Sequence, residues 1–287
     1  MPEDDTVTVI TERIPDIIEK ARKISISPDE MASKIDHTEL SPAATRNDLE
    51  KLCEEAKNYN FRSVTISPYY TQFCAKKLED VDVLINPTIG FPLGQNKSEI
   101  KSIEAEMATE DGADELDMVM NVGAFREGKY DLVKSEIKEV VSAASGKPVK
   151  VIIESGYLTY EEISKASKII RDAGADYVKN STGFGPYGAN IPHICQIKET
   201  IGEDLGIKAA GGIGNFRDAL KLVAAGADVI GTSSGSKIIE SYESIDQESW
   251  TVNDPCSSCP SKWVSKSGVP KDIEDYYIGK CDSCRHR

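Results

Sequence analysis

From Ile35 to about Tyr242 the sequence repeats one motif: a short β-rich run, then a longer run of helical period. Strands are expected at Ile35–His37, Phe61–Ile66, Val81–Asn86, from Ala113 towards Asn121, Pro148–Glu154, Asp176–Lys179, Gly206–Ala210 and Ala227–Gly231. A helical stretch follows each of them, and Gly174 and Gly226 close two of these helices. Gly-Ala-Asp recurs at Gly112, Gly174 and Gly226, each time just before a strand, and reads as helix-end punctuation. Parallel strands joined by helices cross over right-handedly, which sets consecutive strands side by side. Eight such units close into a (β/α)8 TIM barrel of the α/β class.

The chain has 287 residues, enough for one such barrel with material left over. The expected division is an N-terminal helical extension (1–30, with a helix over Ile14–Arg22), the barrel (31–243), and a linker with a small zinc-ribbon-like module (244–287). A net charge of −14 argues against a nucleic-acid partner. No run of about 18 apolar residues occurs, so no membrane span is expected. The start, Met1-Pro2-Glu3-Asp4-Asp5, is acidic where a secretory signal is basic, and a cytoplasmic protein is expected.

In a barrel of this kind, function gathers at the carboxyl ends of the strands. Lys179 ends the sixth strand, Lys208 lies in the seventh and Asp117 in the fourth. Neighbouring strands are about 4.8 Å apart, so the two lysines share one chamber if both point inward. Two close ammonium groups disfavour each other's charge and lower the pKa of one. A lysine that is partly neutral near pH 7 attacks carbonyls. Asp117 supplies a carboxylate for proton transfer, or pairs with Lys150, Lys179 or Lys208, and such pairing would also orient it. Lys150, alone in an apolar strand, reads as an electrostatic partner.

Glycine loops suggest the ligand. Gly211-Gly212 follows the seventh strand, and Gly231-Thr232-Ser233-Ser234-Gly235 follows the eighth, the places where this fold often holds phosphate. Bare backbone permits close approach of N–H donors, and a helix starting near Ser234 adds a favourable dipole. Thr182 and Gly183, after the sixth strand, are expected to add donors. A phosphorylated small molecule is the expected substrate.

Six stretches, in order, now resemble one family. They are Ile35-Asp36-His37-Thr38-Glu39-Leu40, Ile89-Gly90-Phe91-Pro92-Leu93-Gly94, Glu115 to Asn121, Lys150-Val151-Ile152-Ile153-Glu154, Tyr177 to Phe184, and Ile207 to Ile213. From about Ile35 to Ser241 the chain resembles deoxyribose-phosphate aldolase, a class I aldolase family. The resemblance implies Lys179 as the Schiff-base lysine and Lys208 as the lysine that depresses its pKa. It implies Asp117 as a proton relay acting with Lys208 through water, and no cofactor for catalysis. The implied reaction is reversible cleavage of 2-deoxy-D-ribose 5-phosphate to D-glyceraldehyde 3-phosphate and acetaldehyde. Asn180 stands where threonine is usual, Thr65-Ile66-Ser67-Pro68 where cysteine and asparagine are often found, and Ala209-Ala210 where alanine-serine is usual. These departures leave the catalytic groups in place and bear on acceptor preference. Other readings are a different Schiff-base aldolase or lyase on another phosphorylated aldehyde or ketone, and a non-catalytic scaffold.

The seven cysteines divide unevenly. Cys53, Cys74 and Cys195 read as reduced core thiols. Cys256, Cys259, Cys281 and Cys284 form two Cys-x-x-Cys pairs with 21 residues between them. Structural zinc held by four thiolates is the expected use, folding a segment too short for its own core and serving subunit or partner contacts. A homo-oligomer, with a dimer favoured, is expected.

Overall fold

Eight parallel strands close in sequence order into one barrel in the computed structural model, which describes residues 13–244 and 269–283. They are β1 (Ile35–Glu39), β2 (Ser63–Ile66), β3 (Leu84–Ile89), β4 (Leu116–Val119), β5 (Val149–Ile152), β6 (Tyr177–Lys179), β7 (Gly206–Ala210) and β8 (Val229–Thr232). Pairing of Asp36 in β1 with Gly231 in β8 completes the ring. The (β/α)8 expectation holds.

Alternation along each strand sorts the side chains. Val64, Val151, Val178, Ile207 and Ile230 join the apolar core, which lies between the strands and the surrounding helices. The residues between them, among them Thr65, Lys150 and Lys208, are buried polar or charged groups that meet inside the ring. Period-2 patterning thus gives this barrel an apolar outside wall and an ionised lining.

Three details differ from the expectations. β3 starts later and runs through Pro87 to Ile89. Proline has no N–H to give, and it stands where β3 changes partner: its pairing with β2 ends at Ile66↔Pro87, and its pairing with β4 begins at Thr88↔Asp117. A short helix, Val122–Arg126, follows β4, with Asn121 as its cap. Before β1 lies a further helix, Pro28–Ala32, started by a reciprocal cap between Ser27 and Glu30.

Both ends of the described chain are fastened to the barrel. The helix Ile14–Lys23 buries Ile14, Ile17, Ile18 and Ala21, and its Lys20 Nζ donates to the Ala224 carbonyl at 3.0 Å. That carbonyl belongs to the last turn of the helix Phe216–Ala225, where it has no partner within the helix. The helix Lys271–Ser283 buries Ile273 and Tyr277 in the main core. The Tyr277 hydroxyl lies 2.9 Å from His193 Nε2 and donates to the Leu158 carbonyl at 2.9 Å. Ser155 Oγ holds His193 Nδ1 from the other side at 2.9 Å. Part of the segment expected to need zinc for its folding therefore packs on the barrel. Cys256, Cys259 and Cys284 lie outside the described residues, and Cys281 is described only as backbone of that helix. Cys53, Cys74 and Cys195 are buried free thiols, as expected. Among the described residues no helix is long and apolar enough to cross a membrane.

Candidate active site

Lys179 and Lys208 are register partners on β6 and β7, and both reach the same carboxylate. Each donates to Asp117 Oδ2 at 2.7 Å. Asp117 comes from β4, across the ring, where Lys150 of β5 pairs with it in register. Lys150 Nζ lies 3.3 Å from Asp117 Oδ1 and 2.6 Å from Glu115 Oε1. Lys208 also meets Asp36 Oδ2 at 2.6 Å. Beneath them Arg62 grips Glu115 with two hydrogen bonds of 2.6 Å and Asp36 with one of 2.7 Å. Three buried lysines (Lys150, Lys179, Lys208) and the partly exposed Arg62 thus face three buried carboxylates (Asp36, Glu115, Asp117) in one cluster.

Burial decides which group is labile, and the excess of cations over carboxylates adds to it. A charge buried without its own counter-ion is costly, and the group gives up its proton instead. Burial lowers the Lys179 ammonium to about 8, with the charge of Lys208 adding to the effect and that of Asp117 opposing it. Burial also disfavours the charge on Lys208, but Asp117 and Asp36 outweigh it and hold that amine above its ordinary value. Burial pushes Asp117 upwards, and Lys179, Lys208 and Lys150 overcome it to hold the carboxyl well below its usual range. The neighbouring cation was the expected cause of the Lys179 shift; removal from water comes first. The contact between Lys208 and Asp117 is direct.

The residues around this pair explain the fit. An added Cβ on Gly231 would meet Lys208 Cε at 3.0 Å, so the bare strand leaves the lysine its slot. Thr65 Oγ1 accepts from Lys208 Nζ at 3.3 Å and from Asn86 Nδ2 at 2.9 Å, and Asn86 Nδ2 also donates to Asp117 Oδ1 at 3.0 Å. Asn180 Oδ1 accepts from the Ala210 N–H at 2.7 Å and fastens the end of β6 to β7. Two of the departures from the family pattern are therefore built into hydrogen bonds at the site.

Lys179 opens onto a cavity of about 580 Å³. Thr182, Gly183, Gly211, Gly212, Ser233 and Ser234, the six expected substrate and phosphate contacts, line the same cavity. Gly211 and Gly212 have φ of 95° and 76°, a turn that side chains rarely allow. One expectation needs correction in detail. Both donors of Thr182, its N–H and its hydroxyl, go to Glu154 Oε2, so neither is left for phosphate.

Asp36, Arg62, Glu115 and Glu154 were not among the expected site residues. Asp36 lies inside β1, and Arg62 and Glu115 stand immediately before β2 and β4; a charge in or beside a short strand, as for Lys150, marks the position but not its partner. Glu154 follows β5 in a left-handed backbone conformation, φ 47°, which no sequence pattern marks.

A closed parallel barrel with an ionisable lysine at the mouth and glycine loops above it defines a class of Schiff-base-forming barrel enzymes. Residues 30–241 match the family described as DeoC/LacD family aldolase. The deoxyribose-phosphate aldolase of Clostridium tetani (strain Massachusetts / E88) is 49% identical over 212 residues, covering 74% of this chain and 98% of that protein. That of Thermococcus gammatolerans is 49% identical over 215 residues, covering 74% and 96%. The solved tetrameric deoxyribose phosphate aldolase of Aeropyrum pernix superposes with a TM-score of 0.76 at 38% identity, covering 80% of this chain and 98% of its own. The chain belongs to the DeoC/LacD aldolase family.

Proposed function

We propose that this protein is an aldehyde-lyase that reversibly cleaves 2-deoxy-D-ribose 5-phosphate to D-glyceraldehyde 3-phosphate and acetaldehyde. The observation that carries the reading is Lys179: a buried amine lowered to about 8, at the floor of a cavity with glycine-rich walls. The neutral amine adds to C1 of the open-chain sugar, and loss of water gives the imine. Protonated imine withdraws electrons as the C3 hydroxyl loses its proton and the C2–C3 bond breaks. Glyceraldehyde 3-phosphate departs, the enamine takes a proton at C2, and water releases acetaldehyde and the free lysine. Lys208 is the protonated group of the pair, and Asp117, 2.7 Å from both amines, links it to the reacting nitrogen. The loops with Gly211, Gly212, Ser233 and Ser234 receive the phosphate.

Borohydride reduction in the presence of 2-deoxyribose 5-phosphate, followed by peptide mapping, tests the reading. A single adduct on Lys179 is expected. An adduct on another lysine, or turnover of other phosphorylated aldehydes in preference, would overturn it.

We further propose a cytoplasmic homo-oligomer, with a dimer as the first expectation. Ile100, Ile103 and Met107, each about half exposed on one face of the helix Ser98–Glu110, support self-association. Zinc binding by Cys256, Cys259, Cys281 and Cys284 rests on the two Cys-x-x-Cys pairs. Metal analysis of the purified protein and of Cys259→Ser tests it, the variant being expected to lose the metal.

A further inference from the structure

We propose that Glu154 is a positioning residue for substrate recognition: its carboxylate shapes the 182–185 loop and makes the Thr182 hydroxyl an acceptor towards substrate. The inference rests on the aldolase reading above.

Glu154 is buried at the end of β5, and its left-handed backbone aims the side chain at the loop after β6. One oxygen, Oε2, accepts both the N–H of Thr182, at 3.2 Å, and its hydroxyl. The next layer of the loop depends on that arrangement. The Phe184 N–H donates to Thr182 Oγ1 at 3.0 Å. Gly185 lies flat on the carboxyl group, so closely that an added Cβ would come within 2.6 Å of Glu154 Cδ. Thr182, Gly183 and Phe184 line the Lys179 cavity. Thr182, Phe184 and Glu154 itself line a second cavity of about 290 Å³ behind the loop. The loop is therefore the wall between two cavities, and Glu154 is its template.

The polarity follows from counting. A threonine hydroxyl has one proton and two lone pairs. The proton is given to Glu154 and one lone pair takes the Phe184 N–H, which leaves a single acceptor lone pair. A group so arranged accepts from a sugar hydroxyl and cannot donate to a phosphate oxygen. The carboxylate thereby separates the two ends of the substrate: hydroxyl reading falls to Thr182, phosphate holding to the other loops.

The test compares wild type, Glu154→Ala, Glu154→Gln, Thr182→Val and the Glu154→Ala/Thr182→Val double variant. Each is assayed for kcat and KM with 2-deoxyribose 5-phosphate, and for borohydride trapping with acetaldehyde, which has no hydroxyl to be read. Glu154→Ala is expected to raise KM about tenfold or more, with acetaldehyde trapping at Lys179 unchanged. The Glu154→Ala/Thr182→Val double variant is expected to be no worse than Thr182→Val. Glu154→Gln, whose amide oxygen still accepts from Thr182, is expected to restore KM to within about threefold of wild type. Additive effects in the double variant, or acetaldehyde trapping lost along with sugar cleavage, would overturn the proposal. If Glu154→Ala does not fold, Glu154→Gln and Thr182→Val carry the test: a Gln variant as impaired in KM as Thr182→Val overturns it. Failure of wild type to trap acetaldehyde at Lys179 would instead strike the aldolase reading itself.

Discussion

The two faces of the same eight strands are opposites. Outward, Val64, Val151, Val178, Ile207 and Ile230 meet the helices in a dry apolar shell. Inward, the ring is lined by Asp36, Asp117, Lys150, Lys179 and Lys208, all buried. The shell stabilises the fold at about 25 cal/mol per Å² of apolar surface removed from water. The lining does the reverse, because charges taken out of water are only partly compensated by pairing. A barrel needs no charge inside it in order to close. On the proposed aldolase reading the lining serves chemistry, and the shell offsets its cost.

Substitutions can break this comparison from either side. The largest effect is expected at Lys179→Met, where kcat falls by about a thousandfold or more and borohydride labelling disappears. Because it removes the surplus buried cation, the same variant is expected to melt no lower than wild type. A lower melting temperature would show that the ammonium serves stability.

Asp117→Asn comes next, with kcat expected to fall by about a hundredfold. In wild type, kcat/KM is expected to rise with pH as Lys179 loses its proton and to level off above about 8. Asp117 supports the Lys179 charge, so its removal lowers that pKa further and moves the rise to lower pH. A midpoint that stays put would deny the coupling. Stability follows the same linkage in wild type. Between about 8 and the ordinary value of 10.5 the unfolded chain holds more protons at this lysine than the folded one, so its contribution to stability increases with pH across that window.

In the shell the pattern is reversed. Ile137→Ala empties a fully buried site on the helix Tyr130–Ala143 and is expected to cost about 2–5 kcal/mol by denaturant titration, with kcat unchanged at permissive temperature. Smallest of all is Tyr277→Phe. It removes a hydroxyl shared between His193 and the Leu158 carbonyl, and is expected to cost about 1–3 kcal/mol with activity retained.

The alternation of strand and helix made the barrel legible in the sequence. Position at the end of one barrel strand and within two others made Lys179, Lys208 and Asp117 legible as candidates for one chamber. The rest was hidden for physical reasons. Asp36, Arg62 and Glu115 are far apart in sequence, and the fold brings them together: Arg62, next to β1 through the β1–β2 pairing, reaches both Asp36 and Glu115. Pairing partners of that kind cannot be read from strand composition. The dominance of burial over the Lys208 charge depends on how deep the amine sits, a property of the assembled ring. Glu154 acts through a backbone twist that its neighbours do not announce. The helix Lys271–Ser283 was obscured by the cysteines around it, although Ile273 and Tyr277 stand four residues apart, the spacing of one helix face.

That helix has a practical consequence for anyone who trims the chain. The family match ends at residue 241, which invites a shortened version of the protein. Cutting there would strip the cover from Tyr160 and from His193, an imidazole that is fully buried in the intact chain, and would remove one of its two hydrogen-bond partners. The boundary suggested by kinship is therefore the wrong place for the scissors, and a useful minimal enzyme keeps its final helix.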